Sequence, residues 1–369
     1  MSTNINSRFT VTPLVVPTSI HSPDAADFIG FAVVKSLVEA ELRGGSSELA
    51  STPEAIADEL LPSWRDESTR MSGLIAAVDG HVVARGSLAL PSGAVECWIA
   101  VSVLPGHRGR GIGTALYEQL ERQAVDAGRT VVQNQTSFAP GLDGETLPGP
   151  GGFGAVPLEL ASTRFLVSQG FSLGQVGRMS ALALPLDPEE LRARLDSAAA
   201  SASDYRTVTW FGRTPPEWLD GMALLRTRMS TDTPNAGMEQ SEDVWTAERV
   251  TAFDDLFEAS PRVVVTTIAV HRETEDVAGY TELDVPAEPD RPVEQMDTLV
   301  LRDHRGHRIG MLLKLVNIRA LGERFPDRTA IESMNAEENR PMLDVNEELG
   351  FEAVSFAARW RKDVGQPSA

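Results

Sequence analysis

A single cysteine, Cys97, stands in 369 residues. That excludes an intramolecular disulfide and a cysteine-rich metal site. No apolar run approaches the roughly 18 residues of a membrane-spanning helix. The N-terminal stretch lacks the basic-then-apolar layout of a secretory signal. Together these absences predict a soluble, cytoplasmic protein. Basic side chains are also outnumbered, with 33 Lys and Arg against 53 Asp and Glu and a net charge of −20. A polyanionic partner, whether nucleic acid or an anionic membrane, is therefore disfavoured. A cationic small molecule would be favoured, although an acidic surface also serves solubility alone. Association into a homo-oligomer is left open.

With 42% hydrophobic residues, the chain suits two domains of roughly 100–200 residues, each with its own core. Its most organised stretch starts with an apolar, β-rich run at 95–103 that reads as a strand. A turn follows, Arg108-Gly109-Arg110-Gly111-Ile112-Gly113. Beyond Thr114, apolar residues at Ala115, Leu116, Leu120, Ala124 and Ala127 keep a helical period. Strand, glycine turn and helix aim unpaired backbone N–H groups at an anion, and the helix dipole adds positive potential. Gly111 and Gly113 have no Cβ to hold a phosphate off. Arg108 and Arg110 add fixed positive charge, against the sign of the whole chain. The pattern is not a P-loop, since no Lys-Ser/Thr follows Gly113, nor is it G-x-G-x-x-G.

The turn recurs. His304-Arg305-Gly306-His307-Arg308-Ile309-Gly310 repeats residues 107–113 at a constant spacing of 197, and Val300 falls on Val103. Further on, Arg328 falls on Arg129 and Gly350-Phe351 on Gly170-Phe171. Landmarks repeating in one order read as an internal duplication. The first copy has a longer loop, which the Gly/Pro-rich stretch 139–154 supplies. The first copy is predicted as a strand at 10–16, a helix from the Asp24 cap to 42, a break at Gly44-Gly45-Ser46-Ser47 and a helix to 61 capped by Thr52. Strands at 73–78 and 81–90 join across Asp79-Gly80. After the turn and its helix come a strand at 130–136, a helix at 158–168 and a strand at 171–184. A helical linker at 185–203 leads to the second copy. That copy has strands at 205–211, 263–271, 278–285, 293–301, 330–334 and 351–360. Its helices are predicted at 215–229, 242–257, 309–321 and 337–349.

Arg-x-x-Gly-x-Gly after a Val-x-Val strand resembles the pyrophosphate-binding motif of the GNAT family, the acetyl-CoA-dependent N-acetyltransferases. The resemblance implies an α/β fold of two tandem GNAT-like domains, each a mixed, mostly antiparallel sheet flanked by helices. The domains would span 1–186 and 204–369, with 187–203 as the linker. In this family the strand before the turn holds the pantetheine arm through its main chain. Here that is Val101, Ser102 and Val103, and in the second copy Leu299, Val300 and Leu301. The turn would hold the pyrophosphate through Arg108, Gly109, Arg110, Gly111, Ile112, Gly113 and Thr114, and through Arg305, Gly306, His307, Arg308, Ile309 and Gly310. Asn335 and Asn339 match positions that touch the cofactor arm, and equally suit caps around the next helix start. The first copy keeps the full motif and ranks first for acetyl-CoA. In the second, Arg308 replaces Gly111, where a long side chain would either obstruct the pyrophosphate or add a charge to it.

Amine acetylation requires that the thioester be held, the ammonium lose a proton and the developing charge find donors. The resemblance implies a carboxylate base on the strand before the turn. Glu96 is the carboxylate of the first such strand, sharing a face with Trp98, Ala100 and Ser102 by alternation, although it also reads as a solvated strand end. Asp297 falls on Ala100, and Glu282 lies on the preceding strand. Asp297 sits in an apolar run, where a buried carboxylate needs a partner or a raised pKa. The family's usual general acid, a tyrosine before the last Gly-Phe, is replaced by Asn346 in the second copy and Leu166 in the first. Cys97, His107 and His304 read as packing residues. Trp210, Trp218 and Trp245 read as core or as walls of an acceptor pocket. No metal is called for.

The leading function is direct acetyl transfer from acetyl-CoA to a primary amine of a small molecule. The alternatives are a non-catalytic acyl-CoA-binding protein, or one active domain braced by a degenerate one. A carboxylate beside the pyrophosphate would repel it, so Gly111→Asp should weaken acetyl-CoA binding about tenfold or more, ~1.4 kcal/mol. Calorimetric titration of the folded variant checks this, and unchanged affinity would remove the turn from the cofactor site.

Overall fold

The two alternating runs around Asp79-Gly80 form a hairpin in a computed structural model that describes residues 9–42, 52–65, 68–232, 236, 238 and 241–365. Asp79 and Gly80 take positive φ values of 51° and 80°, the type I′ geometry that matches the strand twist. The predicted break at Gly44-Gly45-Ser46-Ser47 lies outside the described residues.

In chain order the elements are β1 (Thr10–Pro13), α1 (Ala26–Leu42), α2 (Pro53–Leu60), β2 (Thr69–Val78), β3 (His81–Pro91) and β4 (Glu96–Val103). Next come α3 (Ile112–Asp126), β5 (Val131–Phe138), the short pair β6 (Thr146–Pro148) and β7 (Ala155–Pro157), α4 (Ala161–Ser168) and β8 (Ser172–Ala183). The later elements are α5 (Pro188–Ser201), β9 (Tyr205–Phe211), α6 (Leu219–Asp232), α7 (Ala247–Glu258), β10 (Val263–His271) and β11 (Val277–Val285). They end with β12 (Val293–Val300), α8 (Ile309–Arg324), β13 (Ala330–Ala336), α9 (Arg340–Leu349) and β14 (Glu352–Asp363). Among the described residues, no helix is long and apolar enough to cross a membrane.

The described residues group into two units. The first takes residues 1–176, 237–241 and 357–369, and the second takes 177–236 and 242–356. In the first, the sheet runs β1-β2-β3-β4-β5, then the 357–363 part of β14 and the 172–176 part of β8. In the second it runs β9-β10-β11-β12-β13 and the 177–183 part of β8. The pairs β4–β5 and β12–β13 are parallel, while the hairpin pairs around them are antiparallel. This is the predicted mixed, mostly antiparallel α/β fold.

Helix starts in the second unit need correction. The helix placed at 242–257 starts at Ala247, because the Thr246 hydroxyl caps it from outside, accepting from Arg249 N at 3.2 Å. Trp245 N instead donates to Thr227 Oγ1 at 2.8 Å. The helix placed at 337–349 starts at Arg340, after Asn339, whose φ and ψ of −82° and 58° are not helical. Within the longer loop, β6 pairs with β7 just beyond it, Thr146 opposite Pro157.

Both faces of the second sheet are covered. Leu313, Leu315, Ile318 and Leu321 of α8 pack with Leu283 and Ile331 on one face. Met222 and Leu225 of α6 and Val250 of α7 pack with Tyr280 and Leu299 on the other. In the first unit, Phe28 and Phe31 of α1 meet Trp64 edge-on, with ring centroids 5.9 and 5.0 Å apart. Gly279 of β11 sits opposite Val300, and a Cβ there would come within 2.5 Å of the Leu299 carbonyl oxygen. Backbone cannot yield as a flexible side chain can, so Gly279→Ala should destabilise the protein by about 1–3 kcal/mol. Thermal unfolding checks this, and an unshifted melting temperature would contradict the packing.

Candidate active site

The two glycine turns share one backbone. Each begins with a single 3₁₀ turn, Pro105–His107 and Arg302–His304. Gly109 and Gly306 follow at φ 71° and 88°. Gly111 and Arg308 then occupy the cap in the left-handed region, at φ 82° and 54°. Neither cap supplies a side-chain hydrogen bond, so the first helical N–H groups are left for an anion. The side chain of Arg308 does not fill the turn, because it forms an ion pair with Glu348 of α9. Arg108 and Arg305 are held alike. Their Nε atoms donate to the Val103 and Val300 carbonyls at 2.9 and 3.0 Å. An acid at the end of an early helix faces each guanidinium: Glu41 bonds both terminal nitrogens of Arg108 at 3.0 and 2.5 Å, and Asp232 lies 3.6 Å from Arg305.

Beside each turn, two parallel strands part. β4 pairs with β5 at Glu96–Val131, Cys97–Val132 and Trp98–Gln133 only, although β4 runs on to Val103. β12 pairs with β13 at Val293–Ile331, Glu294–Glu332 and Gln295–Ser333 only, although β12 runs on to Val300. Val101, Ser102, Val103, Leu299 and Val300 thus pair with β3 or β11 on one side only. Main-chain groups on the side of β5 or β13 have no strand partner there, which suits an extended ligand arm lying between the parted strands.

The second fork carries an acidic cluster. Between Thr281 and Leu283 the β11–β12 register slips, so that Thr281 faces Thr298 and Leu283 faces Gln295. The extra β12 residue is a bulge, and bulges re-aim side chains. Gln295 faces α8, accepting from Lys314 Nζ at 3.1 Å. Two residues on, Asp297 faces the α6 side, where the buried Tyr280 hydroxyl donates to its Oδ2 at 3.1 Å. Beside it, Arg226 of α6 donates through Nη2 to both Glu282 oxygens at 2.9 Å, and Thr266 donates to Oε1 at 3.1 Å. Arg226 and Glu282 are only 6% and 2% exposed. The Trp245 and Phe253 rings cover the guanidinium, 4.8 and 4.2 Å from Cζ. Asp254 completes the group, accepting from Thr214 N at 2.8 Å. Burial pushes the carboxyls of Asp297, Glu282 and Asp254 up, with Arg226 opposing in each case. Arg226 serves all three buried or half-buried carboxyls and Arg213 reaches Asp254 alone, so the carboxyls outnumber the cations beside them.

Glu96 sits elsewhere. It lies at the closed end of its fork, paired with Val131 and 7% exposed. Ser241 N and Oγ donate to its two oxygens at 3.2 and 2.8 Å, so it is not a solvated strand end. The position two residues past the last pair, held by Asp297 in the second unit, is Ala100 in the first. Asn134 bridges the first fork, donating to the Ile99 carbonyl at 2.6 Å.

Asn335 donates to Ser333 Oγ at 3.0 Å, and Asn339 is the backbone cap of α9 without a side-chain cap bond. Asn346, in the place of the family tyrosine, is buried and donates to Ser333 Oγ at 3.4 Å. Leu166 is buried. Cys97 is fully buried and its thiol is pushed up to about 12, which removes it as a nucleophile. His304 accepts from or donates to the Tyr205 hydroxyl at 3.0 Å, a packing role. Trp210 is core, while Trp245 walls the acidic cluster. Sequence reasoning passed over Arg226, Tyr280, Asp254 and Lys314. Helical periodicity hides Arg226 and Lys314 among apolar neighbours, and only a charge at a core position hints at them.

Residues 40–138 match the model of the acetyltransferase (GNAT) family. The fold is similar to a tandem GNAT protein from the clavulanic acid biosynthesis pathway, at 25% identity, 98% coverage of this chain, 100% of that one and a TM-score of 0.69. A GCN5-related N-acetyltransferase from Sphaerobacter thermophilus shares the fold at 16% identity, 98% and 97% coverage and a TM-score of 0.61. No match was found among curated proteins.

Lys314, wholly buried beneath the second fork, has its ammonium pushed from 10.5 down to about 7 by burial. Between these values the unfolded chain holds a proton that the folded one lacks, so this residue makes stability rise with pH. The parent should gain on the order of a few kcal/mol from pH 7 to 10 relative to Lys314→Met. Urea midpoints of both proteins at the two pH values check this, and parallel pH dependence would contradict a neutral Lys314.

Proposed function

For a chain that carries a GNAT domain in its first half and the tandem GNAT fold over its whole length, we propose transfer of an acetyl group from acetyl-CoA to a primary amine of a small molecule, with the chemistry in the second unit. The observation that carries this reading is the position of Asp297. It stands two residues past the last β12–β13 pair, on the strand that would hold the thioester, and within reach of the buried Tyr280 hydroxyl.

The pyrophosphate would lie on the 305–310 turn and the pantetheine arm along Leu299, Val300 and Leu301. The amine enters from the α6 side, where the surplus carboxyl groups favour an ammonium. A free amine has a pKa near 10, so at neutral pH it must lose a proton before attack. Asp297 accepts that proton, directly or through water, and Tyr280 orients the carboxylate. Glu282 is the weaker candidate, since Arg226 and Thr266 already occupy its oxygens. Its role is to hold Arg226 in place. The buried Asn346 amide offers no acidic proton. An alkyl thiol with a pKa of about 8.5 leaves as a thiolate without a dedicated acid and takes its proton from water.

A second reading follows from Ala100: the first unit binds acyl-CoA on its intact turn and braces the second without catalysing.

Asp297→Asn should lower the acetyl transfer rate about 100- to 10,000-fold near neutral pH. The deficit should shrink at high pH, where the substrate deprotonates itself. Burial raises the Asp297 carboxyl, so parental activity should fall on acidification above the ordinary carboxylate range near 3.9. Glu96→Gln should keep the parental rate. pH–rate profiles with an amine panel test this, with acetyl-CoA affinity measured for each variant. If Asp297→Asn follows the parent across the whole range, Asp297 is not the base.

A further inference from the structure

Residues 295 and 297 of one strand would ordinarily share a face. The β12 bulge breaks that rule and turns Asp297 away from Gln295, toward Tyr280. It also interrupts the ladder. Thr281 and Leu283 of β11 have β12 partners at Thr298 and Gln295, while Glu282 between them faces two residues, Met296 and Asp297. Buried carbonyls left over at such a place need donors from elsewhere.

One side chain supplies them on both strands. Gln295 Nε2 donates to the Glu282 carbonyl at 2.7 Å and to the Asp297 carbonyl at 3.0 Å. The Thr281 hydroxyl lies 3.0 Å from the same Nε2 and donates to the Asp297 carbonyl at 3.2 Å. Behind the amide, Lys314 Nζ donates to Oε1 at 3.1 Å. These neighbours fix which way the amide points. Turned over, its oxygen would meet two carbonyl oxygens and its NH2 group would meet the amine. Gln295 is 7% exposed and Lys314 1%, so bulk water does not stand in for either partner.

The first unit offers a comparison within the same chain. At the spacing of 197 that aligns the two turns, Trp98 stands for Gln295, Ala100 for Asp297 and Tyr117 for Lys314. Arg85, opposite Ser102, stands for Tyr280, opposite Leu299. The Tyr117 hydroxyl donates to Glu121 of its own helix. β3 and β4 pair without a slip from Ala84–Val103 to Ala89–Trp98. Amide, amine, bulge and carboxylate thus occur together in one unit and are together replaced in the other.

We propose that Gln295 and Lys314 are positioning residues of the second unit, which hold the β12 bulge and thereby fix the Asp297 carboxylate toward Tyr280 at the open fork. The proposal rests on the reading of Asp297 as the base. Neither residue touches the substrate. Lys314 holds the amide, the amide holds the two carbonyls, and the Asp297 backbone follows.

The test uses the full chain, acetyl-CoA and the amine that the unsubstituted protein turns over fastest. Gln295→Met should lower kcat about tenfold or more with KM for acetyl-CoA little changed, because the base is present but misplaced. Gln295→Glu keeps the contact with Lys314 but brings oxygen in place of N–H to the carbonyls, and should lose as much. Gln295→Met with Lys314→Met should lose no more than Gln295→Met alone, since the two act as one unit. In an Asp297→Asn background, Gln295→Met should cost nothing further. A readout apart from activity is the carbon-13 titration of the Asp297 carboxyl, assigned by its loss in Asp297→Asn. Burial raises this group in the parent, and in Gln295→Met it should titrate at lower pH as the loosened segment admits water. Gln295→Asn, whose amide is one methylene shorter, should share both effects and serves where the Met variant does not fold. Lost stability alone moves the urea midpoint but not the titration of the folded protein. An unmoved titration, additive losses in the double variant, or a loss that persists without Asp297 would each overturn the proposal. If Asp297→Asn itself keeps the parental rate, the base assignment falls, and the titration alone decides whether Gln295 holds the carboxylate.

Discussion

Two parallel strands that pair over three residues and then part are the constraint on which each unit depends. A sheet interior normally satisfies every backbone N–H and C=O through its neighbour. Past Trp98 and past Gln295 that neighbour is gone. Side chains take up part of the deficit. Asn134 donates to the Ile99 carbonyl in the first unit, and Gln295 donates to the Asp297 carbonyl in the second. The remaining groups face a gap whose far end is the glycine turn, so one geometric departure creates both the slot and the direction of approach to the anion site.

The forks are alike in backbone and unlike in charge. Arg108 and Arg305 share the same anchoring to a strand-end carbonyl and a facing acid from an early helix. Exposed ion pairs of this kind contribute only about 0–1 kcal/mol, so their repetition speaks for orientation of the arginines more than for stability. Around the strands the copies diverge, with Arg85 against Tyr280 and Ala100 against Asp297.

Buried ionisable groups concentrate at these two places. Arg226 and Glu282 form a buried pair, which is weak evidence for stability because desolvation offsets the attraction. Lys314 beneath the second fork and Arg85 beside the first each have burial working against their charge. Well-packed apolar side chains in their places would often be as stable or more so.

The sequence by itself determined the two turns, the order of the elements and the α/β class. These rest on local signals: glycine where φ is positive, period-two and helical alternation, and the Thr52 cap, which accepts from Ala55 N at 3.2 Å. It also pointed to Asp297, a carboxylate in an apolar run. Only the tertiary structure decided which carboxylate stands at an open fork. Glu96 and Asp297 are both strand carboxylates ahead of a turn, yet the strands are still paired at Glu96 and have parted at Asp297. The bulge that turns Asp297 toward Tyr280 is a property of cross-strand register, which alternation along one strand does not encode. Arg226 and Arg85 acquire their meaning from residues 56 and 2 positions away in sequence and from rings on other helices. A charge inside a core pattern signals a partner, but only the packing says whether that partner is present.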